Sequence, residues 1–154
     1  MTEPAPTTQQ PPRASRLVDL GTRGFVLAIA VFVLIVGFVL PWLGDAAGWQ
    51  VLLGEGESAG KVGAVPRLFA ATALLFGVLT SAAALITRRW VLTWAGALGG
   101  WFAAVDGLLA IWSRQSTALD SGDTGPSLGI GMILAEVAMI VIAILWMRTA
   151  WSRD

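Results

Sequence analysis

The chain has 154 residues, 56% of them hydrophobic and only 13% charged, with ten basic residues balancing ten acidic ones and a mean hydropathy of +0.74. Soluble domains carry about 25% charge, so the composition argues against an ordinary soluble globule, and zero net charge gives no general case for nucleic-acid binding. Cys, His and Tyr are absent, which excludes disulfides, thiolate nucleophiles and almost every zinc or copper site, and leaves any acid–base chemistry to Asp, Glu, Lys and Arg.

Residues 1–16 read MTEPAPTTQQPPRASR. Pro4, Pro6, Pro11 and Pro12 stand among polar residues, so a disordered, Pro-rich cytoplasmic tail is expected. A short surface helix is expected from about Ser15, with Asp19 and Arg23 on its polar side.

Four apolar stretches then follow, at about 24–43, 68–86, 91–112 and 128–147. A helix rises about 1.5 Å per residue, so about 20 residues cross a hydrocarbon layer of about 30 Å. The first stretch is long for a signal peptide, and no clean cleavage site follows it. The expected fold is therefore all-α: an integral membrane four-helix bundle over 17–148, up-down-up-down, with both termini cytoplasmic and a short cytoplasmic tail at 149–154. Orientation follows the arginines. Arg13, Arg16, Arg23, Arg88, Arg89, Arg148 and Arg153 fall on one side, against Lys61, Arg67 and Arg114 on the other.

The second and third stretches are joined by Thr87-Arg88-Arg89-Trp90, a turn short enough to demand antiparallel neighbours. The first outer loop ends in a Gly-rich, flexible half, with Pro66 marking the start of the second helix. The second outer loop, SRQSTALDSGDTGP, closes at Pro126. Each half of the chain repeats a span, a Trp, an acidic Gly-rich loop, a Pro and a span, which is a weak internal symmetry.

Tryptophans frame the stretches. Trp42, Trp49 and Trp112 are expected at the outer rim and Trp90, Trp146 and Trp151 at the inner one, as an aromatic belt. With Arg88 and Arg89, the residues Trp42, Trp90, Trp112 and Trp146 are read as topology and interface anchors. The third stretch carries small residues at helical spacing: Ala95, Gly99, Ala103 and Gly107 in one row, and Gly96, Gly100 and Ala104 in another. The second stretch offers Ala73, Gly77 and Ser81. Small side chains let helix backbones approach, so this face packs either against a neighbouring helix or against a second copy of the chain.

Two carboxylates fall inside apolar stretches. Asp106 and Glu136 lie at similar depths on helices of opposite direction, where an isolated carboxylate is costly and turns inward. They form an intramembrane polar or proton site, with Thr72, Thr80, Ser81, Arg67 and Arg114 as available partners. Catalytic signatures are missing: there is no HExxH, no GxSxG and no phosphate-binding loop. Asp120 and Asp123 are spaced DxxD but read as a solvated acidic loop. No metal and no cofactor is expected.

The strings RLVDLGTRGFVLAIAV, PW…GWQVLLG, ITRRW and IWSRQ resemble the small four-span conserved transmembrane proteins of unknown function from mycobacteria and related actinobacteria, over about residues 16–148. The resemblance implies a multi-pass plasma-membrane protein, N-in and C-in, and carries over no active-site residue. The expected function is that of a non-enzymatic scaffold or accessory partner of another membrane or exported envelope protein. The alternative is a small oligomeric transporter or proton-coupled channel using Asp106 and Glu136. The expected partners are the lipid bilayer, such an envelope protein and a second copy of the chain, with no nucleic acid.

Overall fold

The computed structural model describes residues 20–55, 62–122 and 127–152. The Pro-rich tail, the Lys61 end of the first long loop, and Asp123, Pro126 and Arg153 lie outside the described residues.

Helix α1 spans Gly21–Val39. It stops where Leu40 turns extended, at φ −76° and ψ 157°, because the following Pro41 disfavours helical geometry in the residue before it. Strands β1 (Pro41–Leu43) and β2 (Ala46–Ala47) then form a small antiparallel hairpin around Gly44, whose φ is +59°. Helix α2 (Gly48–Leu53) follows, its start held by the Gln50 side-chain oxygen, which accepts from the Ala47 N–H at 2.9 Å. The first loop is thus folded over residues 41–53.

The second long helix is continuous over Ala64–Thr87. It has three parts: α3 (Ala64–Thr72), a π-helical segment (Ala73–Thr80) and α4 (Ser81–Thr87). Pro66 sits in its first turn, where a missing N–H is tolerated. In the widened part the Thr80 and Ser81 hydroxyls donate to carbonyls five residues back, Leu75 at 2.9 Å and Phe76 at 3.3 Å. Arg88 makes the tight turn at φ +52°, and α5 begins at Trp90. Helix α5 runs through Ser121, nine residues past Trp112, and ends at Gly122 with φ +62°. Helix α6 spans Ile130–Trp151.

The four long helices pack as antiparallel neighbours, with α6 against both α1 and α5, and the second helix against α5 and α1. Helices α1 and α6 approach closely where small residues face each other. A Cβ on Gly37 would lie 3.2 Å from the Ala135 backbone nitrogen, and one on Gly131 would lie 2.7 Å from the Leu40 carbonyl oxygen. The hairpin is stitched to the start of α6 by Gly129 N–H to Trp42 O at 2.7 Å and Gly44 N–H to Ser127 O at 3.0 Å. The core holds Leu27, Leu34, Phe69, Met139 and Ile142, with Trp42 and Trp146 the largest fully buried side chains. The outer surface is apolar as well: Phe25, Phe32, Ile86, Leu98, Phe102 and Ile130 are all more than half exposed. The all-α class expected from the sequence is what the structure has, with the short hairpin added.

Candidate functional site

Asp106 and Glu136 are both buried, at 6% and 3% exposure. Helix α5 brings Asp106 against α3, where its side chain hydrogen-bonds Thr72. The Thr72 hydroxyl is also 3.1 Å from both Leu68 O and Phe69 O, so one proton faces several acceptors. The second carboxyl oxygen of Asp106 is buried without a partner among the described residues.

Glu136 projects from α6 toward α5. Its carboxylate fills the space that a side chain at position 107 would take, beside the Phe69 ring, which would lie 2.8 Å from a Cβ there. Both Glu136 oxygens are buried without a hydrogen-bond partner among the described residues. Gly107 is thus required for Glu136 to fit. Thr72, Asp106 and Glu136 gather at one level where α3, α5 and α6 meet. Of the other polar groups weighed at the sequence level, Arg114 has a buried Nη2 without a partner among the described residues, and the remaining three are engaged elsewhere. Arg67 donates to Val51 O at 3.4 Å, Thr80 to Leu75 O at 2.9 Å, and Ser81 accepts from Trp146 at 2.9 Å.

Gly96, Gly99, Gly100, Ala103, Ala104 and Gly107 are all buried, and Ala95 is half-buried. This face is covered by the chain's own helices. A Cβ at Gly96 would meet the Trp146 ring at 2.9 Å, one at Gly100 would meet Ala143 at 3.2 Å, and Gly99 lies under Phe76. Ala73, Gly77 and Ser81 are buried too, with Gly77 facing Leu34 and Met139.

The anchor residues divide. Arg88, Arg89 and Trp90 are exposed at the turn between α4 and α5, and Trp112 is exposed within α5, nine residues before its end. Trp42 and Trp146 are core residues. The Trp42 indole donates to Gly37 O at 2.8 Å and stacks on Phe69 with centroids 5.2 Å apart. Trp146 lies over Gly96. Sequence reasoning missed Gly37, Gly129 and Gly131; the Gly131-x-x-x-Ala135 spacing was the available signal for the last.

Among the described residues no group of three or more His, Cys, Asp or Glu side chains could hold a metal ion. The described residues thus form an apolar helical domain with a buried carboxylate junction. The profile of the MiaB C-terminal domain matches residues 7–154, and the chain belongs to that family. It is 45% identical over 137 residues to a Mycobacterium avium (strain 104) protein named tRNA-2-methylthio-N(6)-dimethylallyladenosine synthase. That match takes in 88% of this chain and 19% of the relative, so the chain spans about a fifth of the relative's length. No solved structure matches.

These findings correct several expectations. The resemblance to small four-span proteins of unknown function gives way to membership of the MiaB C-terminal domain family. The non-enzymatic scaffold or accessory partner, and the transporter or channel alternative, give way to a relative that is a synthase, so the non-enzyme reading falls with them. The exclusion of nucleic acid, and the membrane or exported envelope protein expected as partner, are overturned by a relative whose name carries tRNA. The plasma-membrane localisation drawn from the resemblance is overturned by the same relative. The physical reason is shared: missing His and Cys and a neutral charge describe a stretch that matches about one-fifth of such a protein, and the composition of that fifth does not report on the rest.

Proposed function

We propose that this chain is the helical domain of a system that makes 2-methylthio-N6-dimethylallyladenosine in tRNA, with the chemistry supplied by a part of that system outside the matched fifth. The observation that carries this reading is the 45% identity over 88% of the chain to a segment of a synthase. The sequence has no Cys and no His, which fits a domain that holds or positions a catalytic part.

The finer architecture belongs to the same proposal. The four long helices form an up-down-up-down bundle seated in a bilayer, with the start of α1 and the end of α6 on the same side. Their length and composition support this: each is at least 19 residues long and apolar enough to cross a membrane. A surface rich in exposed Phe, Leu and Ile is unfavourable in water and matched to lipid. Arg88, Arg89, Trp90 and Trp112 then serve as interface anchors. Asp106 and Glu136 serve as a polar junction that fixes the register of α3, α5 and α6. Residues 1–16 serve as a tail before the helical domain, whereas the expected tail at 149–154 is displaced because 149–151 are the last residues of α6, with Thr149 and Ala150 buried.

The test is genetic and chemical. The chain is deleted in its native host, and tRNA nucleosides are quantified by mass spectrometry. The expected result is a fall in the 2-methylthio nucleoside with accumulation of N6-dimethylallyladenosine. An unchanged ratio of the two overturns the reading.

A further inference from the structure

A groove of about 430 Å³ opens on the outer face between the start of α1, the middle of α5 and the end of α6. Its rim carries Arg23, Arg148 and Ser152, and its wall carries Trp101, Ile144 and Trp151. Arg23 Nη1 donates to Ser152 Oγ at 3.1 Å, which places the α1 start and the α6 end at one corner. The pairs Gly96–Trp146 and Gly100–Ala143 set the register of α5 against α6. By that register Trp101 is level with about residue 142, about 9 Å along the axis from Arg148 at the helical rise. The groove is therefore cationic at one end and apolar at the other. Neither the buried carboxylates nor the helix-packing face reaches it.

We infer that this groove binds one anionic amphiphile, a phospholipid with a phosphate headgroup between Arg23 and Arg148 and an acyl chain laid along Ile144 and Trp101. Charge complementarity carries the choice of occupant. Two guanidinium groups form charge-assisted hydrogen bonds to phosphate oxygens, while the apolar wall leading away from them suits a hydrocarbon chain. A nucleic acid would need cations spaced along a strand, and this groove has its cations at one end alone. The inference rests on the bilayer reading above for the source of the lipid.

The full chain, purified in detergent micelles, is titrated with phosphatidylglycerol and phosphatidylcholine of equal chain length and followed by native mass spectrometry. Phosphatidylglycerol is expected to bind about tenfold or more tightly, since each arginine near an anionic headgroup favours it. The Arg23→Gln, Arg148→Gln double variant is expected to lose that preference with unchanged helix content. Trp101→Ala is expected to weaken both lipids while keeping their ratio. Equal binding of the two lipids, or a preference that survives the double variant, overturns the site. So does inorganic phosphate binding as tightly as phosphatidylglycerol, or an RNA hairpin that binds the wild type and not the double variant. Flotation with phosphatidylcholine vesicles separates the two claims. A chain that stays behind overturns the bilayer reading, whereas a chain that floats without headgroup preference in micelles overturns the groove alone.

Discussion

The indole N–H of Trp146 donates to the hydroxyl of Ser81 across 2.9 Å, in a fully buried contact between residues 65 apart in sequence. The contact exists because Gly96 leaves room for the indole ring. It ties α6 to the end of the π segment, where Ser81 in turn donates to Phe76 O at 3.3 Å. Ser81→Ala leaves the buried indole N–H unpaired and should cost about 1–3 kcal/mol. Thermal unfolding of Ser81→Ala, Trp146→Phe and the double variant should give a coupling energy above about 0.5 kcal/mol; simple additivity would rule the bond out.

Gly107 is where the buried carboxylate meets α5. Gly107→Val puts a side chain where the Glu136 carboxylate and the Phe69 ring already are. Overpacking of this kind costs about 1–3 kcal/mol. Adding Glu136→Ala should restore part of the loss. Circular dichroism melts of the two variants in detergent decide it, and a Gly107→Val variant as stable as the wild type would contradict the packing.

Glu136 itself should be destabilising. Both of its oxygens are buried without partners among the described residues, and an unsatisfied buried polar group costs about 1–3 kcal/mol. Glu136→Leu, similar in volume, should therefore raise the melting temperature. If the same variant lowers the 2-methylthio nucleoside in cells, the carboxylate is kept for function at the expense of stability. A lowered melting temperature would mean that Glu136 has a stabilising partner.

Arg88 holds the turn between α4 and α5 in left-handed geometry, at φ +52°, with its N–H on Ala84 O at 2.8 Å. A side chain in that region costs about 1–2 kcal/mol relative to glycine. Arg88→Gly should stabilise the helix hairpin by about 1 kcal/mol, read as a rise in the unfolding midpoint. A fall would show that the arginine side chain contributes more than its backbone strain costs.

The helical class was legible because runs of about 20 apolar residues have few alternatives. The small-residue face of α5 was legible from its four-residue spacing, although the choice between a neighbouring helix and a second copy was not. Trp42 and Trp146 were harder. An indole near the end of an apolar run looks the same whether it faces a rim or fills a core, and only Gly48 and Gly96, which make room for the two rings, distinguish them. The pairing of Asp106 with Thr72 needed the helix packing angle, which spacing does not contain. The extension of α5 through Arg114 and Asp120 was hidden because polar residues there are compatible with both helix and loop. Function was illegible for a different reason: in a relative that this chain matches over 19% of its length, the catalytic groups need not lie in the matched part.

The contact of Arg23 with Ser152 has a mechanical meaning. Because the described chain enters and leaves at one corner, a covalent neighbour attached before α1 or after α6 would hang from the same point. Tension on such a neighbour would load α1 and α6 together, at the end opposite to the seam where Gly37 and Gly131 bring their backbones close. The pull would draw both helices the same way from one end, so neither would slide past the other.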